Sequence, residues 1–148
     1  KRHFFLIFAM SKKIKIIFIC TGNSCRSQIA HGLLKKMASK KFDVYSAGSY
    51  PSKVHPMSIK VMQEIGIDIS SHTSDHFDDY LTTGIEVVIT VCDNANKTCP
   101  IFPGNVERIH WSINDPFKGW DFDDNEIQSF RETREEIKEK IIRFLKKY

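Results

Sequence analysis

The sequence predicts an α/β fold: a single domain, doubly wound, with a mostly parallel four-stranded sheet flanked by helices. Three observations point to it. "KIIFI" (15–19) and "IEVVITV" (85–91) are continuous β-branched and aromatic runs, the pattern of strands covered on both faces. Segments of helical periodicity separate the strand-like runs, as parallel pairing requires. Cys20 and Cys92 each close an apolar run, at the carboxyl ends where open parallel sheets collect their ligands.

After strand 15–19, residues 27–39 read as a helix with Ile29, Ala30, Leu33, Leu34 and Met37 on its inner stripe. "FDVYSAG" (42–48) is a short strand running into a Gly/Ser/Pro loop. "PMSIKVMQEIG" opens with Pro56 near a helix start and closes with Gly66 at its stop. A short polar helix is expected over 75–83, followed by strand 85–91. "VERIHW" (106–111) reads as a fourth strand nearer the edge. In "SFRETREEIKEKIIRFLKKY", Phe130, Ile137, Ile141, Phe144 and Leu145 share one helical face, with glutamates ahead of lysines. That stripe is core packing.

Composition bounds the function. The chain has 148 residues, enough for one core, with 41% hydrophobic and 27% charged residues. Its net charge of +4 gathers toward the ends and comes with no nucleic-acid-reading motif, so no nucleic-acid partner is expected. "KRHFFLIFA" opens like a signal peptide but has no small-x-small cleavage site, and it is far short of the ~20 residues that span a membrane. Met10 before "SKKIK" reads as a natural start. Residues 1–12 are therefore expected to be a leader or extension and 13–148 the domain, a cytoplasmic monomer with no membrane association. Four cysteines in such a chain read as catalytic or redox-active rather than as a secreted framework. The spacings Cys20 to Cys25 and Cys92 to Cys99 do not match structural zinc.

The stretch "FICTGNSCRS" carries the chemistry. A loop leaving a strand and entering a helix turns successive N–H groups inward, and the helix start adds positive potential. Thr21, Gly22, Asn23, Ser24, Cys25, Arg26 and Ser27 form the candidate oxyanion cradle, with Cys20 as nucleophile. Gly22 permits a left-handed step and Asn23 tolerates one. The Arg26 fork can clasp two oxygens of a tetrahedral anion, and Ser27 can donate to the Cys20 sulfur. Such a nest favours the thiolate. The Gly-Lys-Ser/Thr ending of a nucleoside-triphosphate loop is missing.

"CTGNSCRSQ" resembles the phosphate-binding loop of the low-molecular-weight tyrosine phosphatase superfamily. Thr21 and Gln28 stand where its thioredoxin-coupled arsenate reductase branch has them, and where phosphatases carry another residue and proline. The similarity runs on through "VYSAG", "IGIDISSHTSD", "VITVCDNANKTCP" and "HWSINDP". It implies a relay. Cys20 attacks arsenate, Cys92 attacks the Cys20 sulfur as arsenite leaves, and Cys99 moves the disulfide to Cys92–Cys99 for thioredoxin to reduce. It also implies Asp115, before Pro116, as the general acid, with Asp121, Asp123 and Asp124 read as a solvated turn. No tightly bound cofactor is implied beyond a potassium ion at Asn23, Ser46, Thr73 and Asp75, in a setting where His31 replaces a common glutamate. His72, His76 and His110 are read as surface or packing residues.

Seven helical residues span about 10 Å, more than the roughly 7 Å between Cα atoms that a disulfide permits. The 92–105 segment is therefore expected to be a mobile loop or to refold as the bond forms. Cys25 is expected to pack inside the cradle or to stand as a backup thiol. The alternative reading is a phosphatase acting on phosphotyrosine or small phosphomonoesters, with Phe117 and Trp120 beside an aromatic slot. A third is an oxyanion-binding or redox-sensing module without turnover, which would have no use for an acid at Asp115.

Overall fold

The structure, a computed structural model, describes residues 12–148. The expected leader lies outside the described residues except for Lys12. The strands are β1 (Ile14–Cys20), β2 (Phe42–Gly48), β3 (Val87–Thr90) and β4 (Glu107–His110), and all pair in parallel in the order β2-β1-β3-β4. The helices are α1 (Arg26–Ala38), α2 (Pro56–Gln63), α3 (Asp93–Thr98) and α4 (Ile127–Leu145). A single 3-10 turn, Phe77–Tyr80, replaces the longer polar helix expected over 75–83.

The central strand confirms the two-faced burial read from its composition: Ile16, Ile17, Phe18 and Ile19 are wholly buried. From β1 the chain steps to β2 on one side, then returns to β3 on the other. The carboxyl ends of β1 and β3 thus flank the point where strand order reverses, which is where open α/β sheets bind ligands. Cys20 ends β1, and Cys92 follows β3 by two residues.

α4 packs against α1 and α2, burying Phe130, Ile137, Ile141 and Phe144 but leaving Leu145 only partly covered. Glu64, at the end of α2, receives Arg131 and Arg134 from α4. The Arg131 hydrogen bond leads in pulling its carboxyl down to about 2. Met37 departs from the expected stripe. Lys35, Lys36 and Met37 are all exposed because the last turn of α1 has run past the core. Among the described residues, no helix is long and apolar enough to cross a membrane.

Gly48, the last residue of β2, sits against the loop that follows Cys20. A Cβ there would fall 2.4 Å from the Thr21 carbonyl oxygen and 2.9 Å from Asn23 N and Cys20 O. All three are backbone atoms that cannot swing aside. Gly48→Ala is expected to cost about 1–3 kcal/mol, read as a lowered urea midpoint, and to disorder the loop. An unchanged midpoint would refute the close fit.

Candidate active site

The loop from Thr21 to Cys25 is held by its carbonyls. Thr21 O accepts from Tyr50 N (2.9 Å), Gly22 O from Ser52 N and Ser74 Oγ, and Ser24 O from His55 N. Asn23 O accepts from Gln28 Nε2 at 3.1 Å. A trans peptide points its N–H opposite its C=O, and no peptide among the described residues is cis. Tying four consecutive carbonyls outward therefore turns the N–H groups of Gly22, Asn23, Ser24 and Cys25 the other way, into the cleft. The left-handed step falls at Asn23 (φ 46°) and not at Gly22. The Asn23 side chain supplies the reason. Its Oδ1 accepts from Asp75 N and its Nδ2 donates to Ser27 Oγ at 2.8 Å. With that lone pair occupied, the Ser27 hydroxyl is free to donate to Cys20 Sγ, 2.8 Å away.

Arg26 opens α1 with its guanidinium facing the acid loop. Nη1 donates to Ile113 O at 2.9 Å, and Nη2 lies 3.4 Å from Asp115 Oδ2. Asp115 also accepts from Phe117 N, which fixes its carboxylate over the cleft. The cleft holds about 210 Å³ and is lined by Cys20, Arg26 and Asp115 together with Phe117 and Trp120. Asp121 and Asp124 are exposed, in keeping with a solvated turn, and Asp123 is half-buried.

Cys92 is brought to the same place from β3. Its sulfur lies 3.5 Å from Thr21 Oγ1, the residue after Cys20, and accepts from Ala95 N at 3.3 Å as the N-cap of α3. An open groove of about 510 Å³ runs from Cys92 past Thr21 to Arg26 and Asp115. The segment expected as a loop is helical here. α3 spans Asp93–Thr98 and Cys99 caps its far end, half-buried, its thiol raised by burial. Asn94 accounts for part of this order by donating to Thr21 Oγ1. All four cysteines are free thiols. Burial pushes the Cys25 thiol up to about 12, so it packs in the cradle as a neutral group and is a poor stand-in nucleophile.

Behind the loop, His31 Nδ1 bonds Ser46 Oγ at 2.9 Å, and its ring stacks on His72 at 4.3 Å. His72 in turn reaches Gln28 Oε1, so it braces the loop rather than filling surface. Burial lowers His31 to about 3. Thr73 Oγ1 and Tyr80 OH both donate to Asp75.

Sequence reasoning missed His55. Wholly buried, it accepts from Met57 N, donates Nε2–H to Gly119 O, and stacks on Trp120 at 5.3 Å. One ring thereby joins the start of α2 to the acid loop. A histidine directly before a helix-opening proline was the available signal.

A family model for low molecular weight phosphotyrosine protein phosphatases matches residues 15–148. An arsenate reductase of Halalkalibacterium halodurans is 47% identical over 135 residues, covering 91% of this chain and 96% of that protein. A solved arsenate reductase in its oxidised state superposes with a TM-score of 0.77 at 33% identity, over 90% of this chain and 97% of the other. A thioredoxin-dependent arsenate reductase of Corynebacterium glutamicum gives a TM-score of 0.73 at 31% identity, over 93% of this chain but 62% of its own longer one. The oxyanion cradle, the strand order and these likenesses agree, and the chain belongs to the low molecular weight phosphotyrosine protein phosphatase family.

Proposed function

We propose that this chain reduces arsenate to arsenite through Cys20, Cys92 and Cys99 and is regenerated by a thioredoxin-type dithiol. One observation carries the reading: the Cys92 sulfur lies against Thr21, at the mouth of the cradle that holds Cys20. A phosphatase needs one thiol there, whereas a two-electron reduction needs a second. The thioredoxin dependence of the Corynebacterium glutamicum relative supports the choice of reductant.

Arsenate enters the cradle, where the inward N–H groups and the Arg26 fork hold its oxygens. The Cys20 thiolate bonds to arsenic, and Asp115 protonates the departing oxygen, which leaves as water. Cys92 then attacks the Cys20 sulfur. The sulfur–sulfur bond forms as the sulfur–arsenic pair of electrons passes to arsenic, releasing arsenite. Cys99 attacks Cys92, freeing the Cys20 thiolate and leaving a Cys92–Cys99 disulfide for the dithiol to reduce. The exposed faces of Phe117 and Trp120 beside the cleft favour a secondary reading, hydrolysis of aryl phosphates through Cys20 alone.

We read the set Asn23, Ser46, Thr73 and Asp75 as a hydrogen-bonded brace rather than a potassium site, because the oxygens already have partners and His31 replaces the expected carboxylate. Ser46 Oγ is taken by His31, Asn23 Oδ1 by Asp75 N, and the Asp75 carboxylate by Thr73 and Tyr80. A neutral imidazole stands where a carboxylate would supply charge. These residues brace the loop by hydrogen bonds among themselves.

With thioredoxin, its reductase and a nicotinamide cofactor, Cys92→Ser and Cys99→Ser are expected to abolish arsenate-dependent cofactor oxidation. Both should retain aryl-phosphate hydrolysis, and continued cycling by the double variant would refute the relay. Asp115→Asn should slow hydrolysis of an aryl phosphate by about 10²–10⁴-fold. His31 contributes to the loss of stability in acid. Its folded pKa lies below its unfolded value, so its contribution is complete above about 6.5 and is lost as pH falls toward 3. Urea midpoints should therefore drop across that window, and His31→Gln should flatten the drop. Exchanging potassium for sodium at equal ionic strength should leave both the melting temperature and kcat/KM unchanged.

A further inference from the structure

The six-residue helix α3 buries only one side chain, Ala95, and so short a helix is marginal on its own. Its order depends on ties to its neighbours, and β4 supplies two from residues on one face of the strand. His110 Nε2 bonds Asp93 Oδ1 at 2.9 Å in the first turn. Arg108 Nη2 donates to the Asn96 carbonyl further along. His110 is itself fixed from behind, its Nδ1 lying 2.8 Å from Thr90 Oγ1. Thr90 is wholly buried, so this hydroxyl–imidazole–carboxylate row is a support and not a nucleophilic triad.

We propose that Arg108 and His110 clamp α3 in its wound form and thereby set the reduction potential of the Cys92–Cys99 pair. This inference rests on the relay above. Cys92 and Cys99 cap opposite ends of α3, and seven helical residues hold their Cα atoms about 10 Å apart. A disulfide tolerates about 7 Å, so the helix must unwind before the bond closes. Whatever stabilises the wound form stabilises the dithiol against the disulfide by the same amount. The clamp thus makes the disulfide easier for the reductant to open. Arg108 and His110 are positioning residues, since neither touches the arsenic or the transferred electrons.

The test uses the full chain in a Cys20→Ser background, equilibrated with oxidised and reduced glutathione. Two thiols, Cys92 and Cys99, are oxidised to one disulfide while one oxidised glutathione becomes two reduced ones. Asp93→Asn, His110→Leu and Arg108→Gln are each expected to favour the disulfide about five-fold, which is about 20 mV more negative at 29.6 mV per decade. Asp93→Asn with His110→Leu should match either single variant, because both remove one contact. Asp93→Asn with Arg108→Gln should reach about 25-fold. Glu139→Gln, which removes an exposed pair with Arg143 on α4, should leave the potential in place. Amide exchange at Asn96 and Cys99, whose N–H groups bond Cys92 O and Ala95 O, should quicken in the reduced clamp variants. Potentials within two-fold of the parent, or unchanged exchange, overturn the clamp while leaving the relay intact. A pair that never closes in the most oxidising buffer overturns the relay and the clamp together.

Discussion

Everything at the site depends on one residue held in a conformation that most side chains avoid. Asn23 is wholly buried and left-handed, and it makes three separate bonds that each serve the loop. Its carbonyl is taken by Gln28, its side-chain oxygen by the Asp75 backbone, and its amide by Ser27. The first two pin the loop to α1 and to the 73–75 segment. The third polarises Ser27 toward the Cys20 sulfur. Glycine could adopt the dihedral but has no amide to offer, and a β-branched residue could not adopt it without strain. Backbone shape and nucleophile activation are thus consequences of a single side chain.

The loop's electrostatics follow from where its polar groups are tied. Four carbonyls are bonded outward to Tyr50, Ser52, Ser74, Gln28 and His55, which leaves the N–H groups of the loop turned the other way. Among the described residues Arg26 adds the only full positive charge lining the cleft, and it already leans toward Asp115 and the Ile113 carbonyl. An arriving tetrahedral anion offers Arg26 better acceptors than a neutral carbonyl. The guanidinium can keep one donor on the acid loop while turning others to the ligand, so anion binding and acid placement are mechanically linked.

The fold and the position of the cradle were largely legible in the sequence because they rest on local patterns. Uninterrupted apolar runs marked β1 and β3, and C-x5-R after a strand marked the cradle. Legibility failed where tertiary contacts decide. The composition of residues 93–98 reads as loop, yet Thr21, Arg108 and His110 reach across from other elements to wind it. His55 and Gly48 work only because strand register and loop closure bring distant backbone to them, and no spacing in the chain announces that. In the sequence His31 reads only as the replacement of a carboxylate and His72 as a surface or packing residue. Stacked together they carry the back of the loop.

The four thiols show how one chain can assign different work to identical groups. Cys25 is enclosed with its nearest oxygen partner on Ser24, and burial keeps it protonated, so it cannot compete for the anion it sits beneath. Cys20 faces the cleft and receives the Ser27 hydroxyl. Cys92 accepts the Ala95 N–H at the start of α3, with its sulfur against Thr21 at the cradle's mouth. Cys99 lies at the far end, where burial raises its pKa against the pull of Arg108. In the wound form Cys99 is both too distant to bridge Cys92 and weakly nucleophilic. A bond between the two sulfurs therefore requires α3 to open first.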